Sequence, residues 1–231
     1  INTAHATKYT APITLTKSVR VRARTFYGAW SAIHDATFAV GPVAEGLRIS
    51  EIMYHPADTG NPDDPNTEYI ELTNIGAETI NLNLVQFSNG IGFAFPSIEL
   101  APAGFCLVVK DMLAFEAKYG PGRPIAGEYT GSLANGGERI ELLDAIGRTI
   151  QSFTYEDDWY NRTDGLGYSL TSVDPTQPDP DQWSDAGYSV RDSGLVSVRE
   201  GNRHCLELVF DGGKRCEQVD FRFDLPLILK W

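Results

Sequence analysis

The sequence predicts an all-β chain, an antiparallel β-sandwich with one short helix. Three observations carry that expectation. Short runs rich in β-branched and aromatic residues recur from Leu47 to Thr154, punctuated by Gly, Asn and Pro turn signals. Helical spacing is confined to one segment, Asp111 to Tyr119. The 231 residues are 42% hydrophobic, enough for a substantial core, yet no apolar run approaches the roughly 20 residues that span a bilayer.

The elements follow in order. In residues 1–41, Val19, Val21 and Ala23 alternate with Arg20, Arg22 and Arg24 as a half-exposed strand, Tyr27-Gly28 marks a turn, and Thr37 to Val40 closes. This segment reads as the end of a β domain whose edge is unpaired, so that it must dock on the next domain or stay loosely ordered. Residues 42–46 read as a linker, opened by Gly41-Pro42.

Two strand patterns, Leu47 to Tyr54 and Tyr69 to Asn74, flank an acidic, proline-punctuated loop. Strict alternation sets Leu47, Ile49, Glu51 and Met53 on one face, with Glu51 among apolar neighbours. Tyr69, Glu71 and Thr73 oppose Ile70, Leu72 and Asn74. Thr79–Leu84, Val85–Asn89 and Phe93–Leu100 read as short strands, and Phe105–Lys110, apolar from Phe105 to Val109, as an interior one. Asp111 is placed to cap the helix, Met112, Phe115 and Tyr119 share a face for packing, and Gly120-Pro121-Gly122 ends it. Strands resume near Glu128, at Arg139–Leu143 and at Arg148–Thr154. Beyond Tyr155 the acidic, proline-rich chain is expected to wrap the sandwich, anchored by Trp159 and Trp183. Residues 191–231 remain unassigned, a C-terminal hairpin or tail with alternation at Cys205–Phe210 and Gln218–Phe223.

Charge is unevenly placed. Residues 1–45 carry 5 basic and 2 acidic groups, residues 46–190 carry 7 and 22, and residues 191–231 carry 7 and 7, balances of +3, −15 and zero. An acidic body repels phosphate backbones, so nucleic acid is not an expected partner.

Cys106 lies in an apolar run and reads as a buried hydrophobe, whereas Cys205 and Cys216 flank a turn at Asp211-Gly212-Gly213, either as a disulfide or as free thiols. His5, His34, His55 and His204 show no metal-binding spacing, and His55 alone adjoins the acidic loop. Hydrolase elbows, nucleotide loops and zinc-protease helices have no counterpart in the sequence. The pairs Asp63-Asp64 and Asp157-Asp158, with Glu51, Glu68, Glu71 and Asp164, would need a sugar-sized cleft to cleave glycosides, which a compact sandwich does not offer. The expectation is therefore no enzyme and no resident cofactor.

Calcium is a better use of those oxygens. Asp58, Asp63, Asp64 and Glu68 are the candidate ligands, in a loop without EF-hand spacing; the other reading is that Pro62 and Pro65 stiffen a solvent-facing acidic turn. A buried Glu51 or Glu71 would need donors, for which Arg48, Arg139 and the Tyr69 hydroxyl are available.

The segments ISEIMYHP (49–56), EYIELTN (68–74), LAPAGFCLVVKD (100–111), LANGGERIELLDAIG (133–147) and DGLGYSL (164–170) resemble, in that order, the bacterial lamin-tail domain. The resemblance runs over 47–190 and implies an immunoglobulin-like sandwich. YTAPITLTKSVRVRARTFYGAWSAIHDATFAV (9–40) resembles the C-terminal end of a fibronectin-like, chitobiase C-terminal-type repeat, of which residues 1–41 would be a part. Together they imply a non-catalytic spacer or adhesion module of a larger secreted or cell-surface bacterial protein, with neighbouring domains, a cell-surface protein or a glycan as partners. The alternative is a carbohydrate- or surface-binding module, for which Trp30, Trp159, Tyr160 and Trp183 are the stacking candidates.

Overall fold

A computed structural model of the chain describes residues 7–57, 66–176, 183–186, 196–200, 203–207, 209–210 and 213–214. Four strands come first, β1 (Val19–Ala23), β2 (Phe26–Tyr27), β3 (Ala29–Trp30) and β4 (His34–Phe38). Strand β1 pairs β4 and β2 pairs β3, so the segment is one ribbon that turns at Gly28, where a positive φ of 70° suits glycine. Ser18 seats its base: the Val40 amide donates to the Ser18 hydroxyl, and Asn83 Nδ2 donates to the Ser18 carbonyl at 2.7 Å.

The stretch expected as linker holds one helical turn, α1 (Val43–Gly46), and Val43 is buried in the sandwich core. Then follow β5 (Leu47–Met53), β6 (Tyr69–Asn74), β7 (Ile80–Asn81), β8 (Gln86–Asn89), β9 (Phe93–Ala94), β10 (Glu99–Leu100) and β11 (Phe105–Val109). Helix α2 (Met112–Tyr119) leads to β12 (Ile125–Glu128), β13 (Glu138–Leu143), β14 (Thr149–Tyr155), β15 (Ser169–Ser172) and β16 (Trp183–Ala186). Helix α2 is capped as expected, the Ala114 amide donating to Asp111 Oδ1 at 2.9 Å.

Two sheets face each other. One has six strands in the order β12-β11-β6-β5-β15-β16, the other four in the order β14-β13-β8-β9. Their inner faces share one core: Ile49, Ile52, Ile70, Leu72, Val108 and Leu170 from the first meet Phe87, Ile140, Leu142, Phe153 and Tyr155 from the second. The fold is therefore the all-β sandwich that the sequence predicts, immunoglobulin-like as the resemblance implied. One pair departs from antiparallel: β12 runs parallel to β11, because α2 carries the chain back across the sheet before β12 begins.

A second departure decides where the acids go. The register of β5 against β6 shifts between Ile49 and Glu51, a bulge that takes up one residue at Ser50. Strict alternation fails there, and Ile52 and Tyr54 join Leu47 and Ile49 in the inner core. Met53 moves to the outer face, with Tyr69, Leu107 and Val109 under Phe115 of α2. Tyr69 meets the rings of Phe115 and Tyr119 edge-on at 5.5 and 5.6 Å.

The C-terminal segment contributes two hairpins, β17 (Val196–Glu200) with β18 (Arg203–Glu207), and β19 (Val209–Phe210) with β20 (Gly213–Lys214). The alternation expected over Cys205–Phe210 is thus split between β18 and β19. Cys205 lies in β18, whereas Cys216, His5 and Gln218–Phe223 fall outside the described residues.

Candidate functional site

The densest polar chemistry lies on the outer face of the six-stranded sheet. Glu51 and Glu71 are direct cross-strand partners on β5 and β6, and each is almost fully buried, 4% and 3% exposed. Glu51 Oε1 accepts from the Tyr69 hydroxyl and, at 2.5 Å, from the Ser169 hydroxyl of β15. Glu71 Oε1 accepts from Ser50 Oγ at 2.6 Å. Two carboxyls on adjacent buried strands would be costly without such donors. These bonds join β5, β6 and β15, so the acids help to hold the sheet's register.

The donors are only partly those expected. Tyr69 serves as the sequence suggested. Arg48 does not, because its guanidinium turns back to the carbonyls of Ala44 and Leu47 at 3.0 and 2.6 Å, and Arg139 pairs with Glu141 on its own strand at 2.7 Å. The hydroxyls of Ser50 and Ser169 were missed. Ser50 acquires its role from the bulge, and Ser169 lies 118 residues from Glu51, so no local pattern announced either.

Glu68, named with Asp58, Asp63 and Asp64 as a calcium ligand, is buried at the start of β6. Its Oε2 accepts from the Tyr129 hydroxyl at 2.7 Å and the Leu133 amide at 2.9 Å, and its Oε1 accepts from Asn66 Nδ2 at 2.7 Å. Those bonds tie β6 to the connection after β12. Burial and the neighbouring Glu68 carboxylate both push the Tyr129 phenol upward. Asp58, Asp63 and Asp64 lie outside the described residues. Among the described residues no three His, Cys, Asp or Glu side chains gather as a metal would require.

His55 and Asp164 meet at the end of β5. Their Nδ1 and Oδ1 atoms are 2.6 Å apart, and a side chain at Gly165 would press on the imidazole at 3.1 Å. Next to them Thr163 Oγ1 donates to the Tyr160 carbonyl, which leaves it to accept from the buried Tyr54 hydroxyl at 2.8 Å. The pair fastens the 164–170 segment to β5. Asp157 and Asp158 sit apart, in a single 3-10 turn.

Cys106 is a free, buried thiol pushed up to about 12, first by burial and then by Glu71. A cavity of about 440 Å³ opens at the seam between the ribbon and the sandwich, lined by Arg20, Asp35, Ala36, Thr37, Leu84, Gln86 and Ala145. Its single carboxylate, Asp35, is held by Arg20 at 2.8 Å and Arg22 at 3.0 Å. Two opposed carboxyl groups of the kind glycoside cleavage uses do not line it.

The stacking candidates divide. Trp30 is 53% exposed, but Trp183 is buried against Phe153 at 5.0 Å, and Trp159 and Tyr160 pack on the core. Trp159 and Trp183 thus act as the anchors expected of them rather than as stacking surfaces, and the Tyr160 hydroxyl donates to the Trp183 carbonyl at 2.6 Å.

Neither a curated protein nor a solved structure matches the chain. The sequence model of the Lamin Tail Domain family matches residues 42–157, half of the chain. That span begins one residue before α1 and takes in both sheets as far as β14, including Glu51, Glu68 and Glu71. The chain belongs to the Lamin Tail Domain family, a non-catalytic immunoglobulin-like module.

Proposed function

We propose that the chain is a structural or interaction module, a spacer or adhesion domain, within a larger secreted or cell-surface bacterial protein. Its first partners are the neighbouring domains of that protein, and residues 1–41 belong to a β repeat that precedes it. The observation that supports this reading is the use of the buried acids. Glu51, Glu68 and Glu71 each accept hydrogen bonds from within the chain, so the carboxylates that could have served chemistry brace the sheet. The excess of acidic groups over residues 46–190 argues against a nucleic-acid partner.

The test is where the parent protein resides. The module should be cleaved by protease added to intact cells, or be recovered from the medium; a pool confined to the cytosol overturns the reading.

A second reading, a carbohydrate- or surface-binding module, is favoured by the ribbon tip, where Phe26, Tyr27 and Trp30 are 61%, 99% and 53% exposed. Arg24 stacks over one face of Trp30 at 4.1 Å, which leaves Tyr27 as the open ring. Retention on insoluble polysaccharide that is lost in Tyr27→Ala supports it, and retention unchanged by Tyr27→Ala sinks it. Calcium would enter through the Asp58–Asp64 loop, and a melting temperature that rises with added calcium is its signature.

A further inference from the structure

Two Asn-Gly steps occur in the chain, Asn89-Gly90 and Asn135-Gly136, and the fold treats them differently. Asn89 is the last residue of β8, set opposite Glu141 of β13, and a side chain at Gly90 would strike Ile140 at 2.4 Å. Asn135 and Gly136 are both exposed, in a turn closed by the Gly137 amide donating to the Ala134 carbonyl at 3.2 Å. Nothing lies within 4 Å of where a Gly136 side chain would begin. Among the described residues neither the Asn135 side chain nor the Gly136 amide has a hydrogen-bond partner within the chain. The turn is fastened at its base instead. There the Ala134 amide donates to Glu138 Oε1 at 2.8 Å, the Tyr155 hydroxyl donates to the Ala134 carbonyl at 2.8 Å, and the Leu133 amide joins the Glu68 brace.

We infer that Asn135 is a self-modifying site, at which the folded chain deamidates through a succinimide while Asn89 is spared. The Gly136 amide gives its proton to hydroxide, and its nitrogen attacks Asn135 Cγ. The new C–N bond closes a ring, and the side-chain nitrogen leaves as ammonia. Water then opens the ring at one of two bonds. Breaking the bond to Cγ gives an aspartyl residue; breaking the bond to the main-chain carbonyl carbon gives an isoaspartyl one, whose backbone runs through Cβ and Cγ. Ring closure favours a glycine as the attacking residue, because a Cβ there hinders approach, and it needs a backbone free to rotate until nitrogen and carbonyl carbon meet. Position 136 supplies the glycine and the exposed turn supplies the freedom. Strand β8 withholds that freedom, since pairing with Glu141 fixes Asn89 in extended backbone. Either product adds a carboxylate to a region already at −15. The isoaspartyl form also lengthens the turn by a methylene, so that the bond from Gly137 to Ala134 no longer closes, and Ala134 passes the change to Glu138 and Tyr155.

The chemistry asks only for water, so it stands apart from the module reading and either can fail alone. The experiment is to incubate the whole folded chain in mildly alkaline buffer and follow both Asn-Gly peptides by proteolysis and mass spectrometry, with a parallel incubation in urea. Aspartyl and isoaspartyl forms are separated by chromatography against synthetic peptides. In the folded chain the Asn135 peptide should convert at least about tenfold faster than the Asn89 peptide, and urea should bring the two rates together. Gly136→Ala should slow conversion at least about tenfold. Its φ lies outside the left-handed region and its surroundings are open, so folding should survive, and far-ultraviolet circular dichroism confirms that it does. The isoaspartyl chain should melt below Asn135→Asp, which carries the charge without the added methylene; equal melting overturns the loosening of the turn. An Asn135 that stays intact in the folded chain overturns the proposal. So does an Asn89 that converts as fast there, or a rate that Gly136→Ala leaves unchanged.

Discussion

The ribbon of β1 to β4 and the strands β5 and β6 have the same kind of sequence and opposite surroundings. Both alternate apolar and polar side chains in short antiparallel strands. In β6 every residue is buried, Ile70 and Leu72 in the inner core and Tyr69 under α2, whereas in β1 every residue after Val19 is exposed. Alternation specifies that a strand has an apolar face; it does not supply what covers it. In the sandwich the cover comes from the second sheet and from α2. On the ribbon both faces stay open to solvent: the Arg20 and Arg22 side chains are 58% and 62% exposed, and Val21 and Phe38 are 37% and 46% exposed.

The contrast should be largest in stability. Leu72→Ala, which empties a fully buried position, should lower the unfolding free energy by about 2–5 kcal/mol in urea titration, whereas Val21→Ala should stay within about 0.5 kcal/mol. Equal losses at the two positions would mean that the ribbon is as well covered as the core.

Glu68→Ala comes next. It strips acceptors from the Tyr129 hydroxyl and the Leu133 amide, both inside the fold, and should cost about 1–3 kcal/mol. Glu68→Gln, which keeps an acceptor oxygen, should cost less. If the two variants melt alike, the hydrogen bonds are not what Glu68 contributes.

Alkali should act on the same body and spare the ribbon. Cys106, Tyr129 and Tyr155 all hold their protons more tightly when folded, chiefly because burial disfavours their anions. Their folded values lie above their unfolded ones, so this stability is intact below the ordinary thiol value of 9.0 and declines as pH rises toward about 12. Unfolding followed at increasing pH should show that decline, and Cys106 should resist alkylation until urea unfolds the chain. Rapid labelling of the native thiol would contradict its burial.

The smallest effect belongs to Asp144. Burial pushes its carboxyl upward, but the Arg148 side chain at 2.6 Å and the amides of Arg148 and Ile146 outweigh that and hold it below the usual 3.8. Its contribution is therefore present above that value and fades as pH falls through the lowered one. Asp144→Asn keeps the amide bonds and loses the ion pair with an exposed arginine, so about 0.5–1 kcal/mol should go, with a weaker dependence on acid. An unchanged acid transition would remove Asp144 from the account.

Much of the fold was legible because its cues are local. The Asp111 cap, the stripe of Met112, Phe115 and Tyr119, and the apolar run of β11 lie within a few residues of the structures they specify. The inner face of β6 was legible for the same reason. The face of Glu51 was not, since a bulge at Ser50 inverts the parity of everything after it in β5, and bulges have no required residue. Nor were the partners of the acids legible. Arg48 is a near neighbour of Glu51 in sequence, yet its guanidinium is turned aside by two carbonyls, and that of Arg139 by a neighbouring glutamate. Trp183 was expected both as an anchor and as a stacking surface, and its burial against Phe153 selects the first.

By itself the amino-acid sequence determined the class of fold, the single sustained helix and the family, because periodicity and motif order are properties of the chain. Which acids are buried together and which hydroxyls answer them were decided by tertiary structure alone. The physical reason is distance: Ser169 reaches Glu51 across 118 residues and Tyr129 reaches Glu68 across 61, and pairings so remote exist only once the sheets have closed.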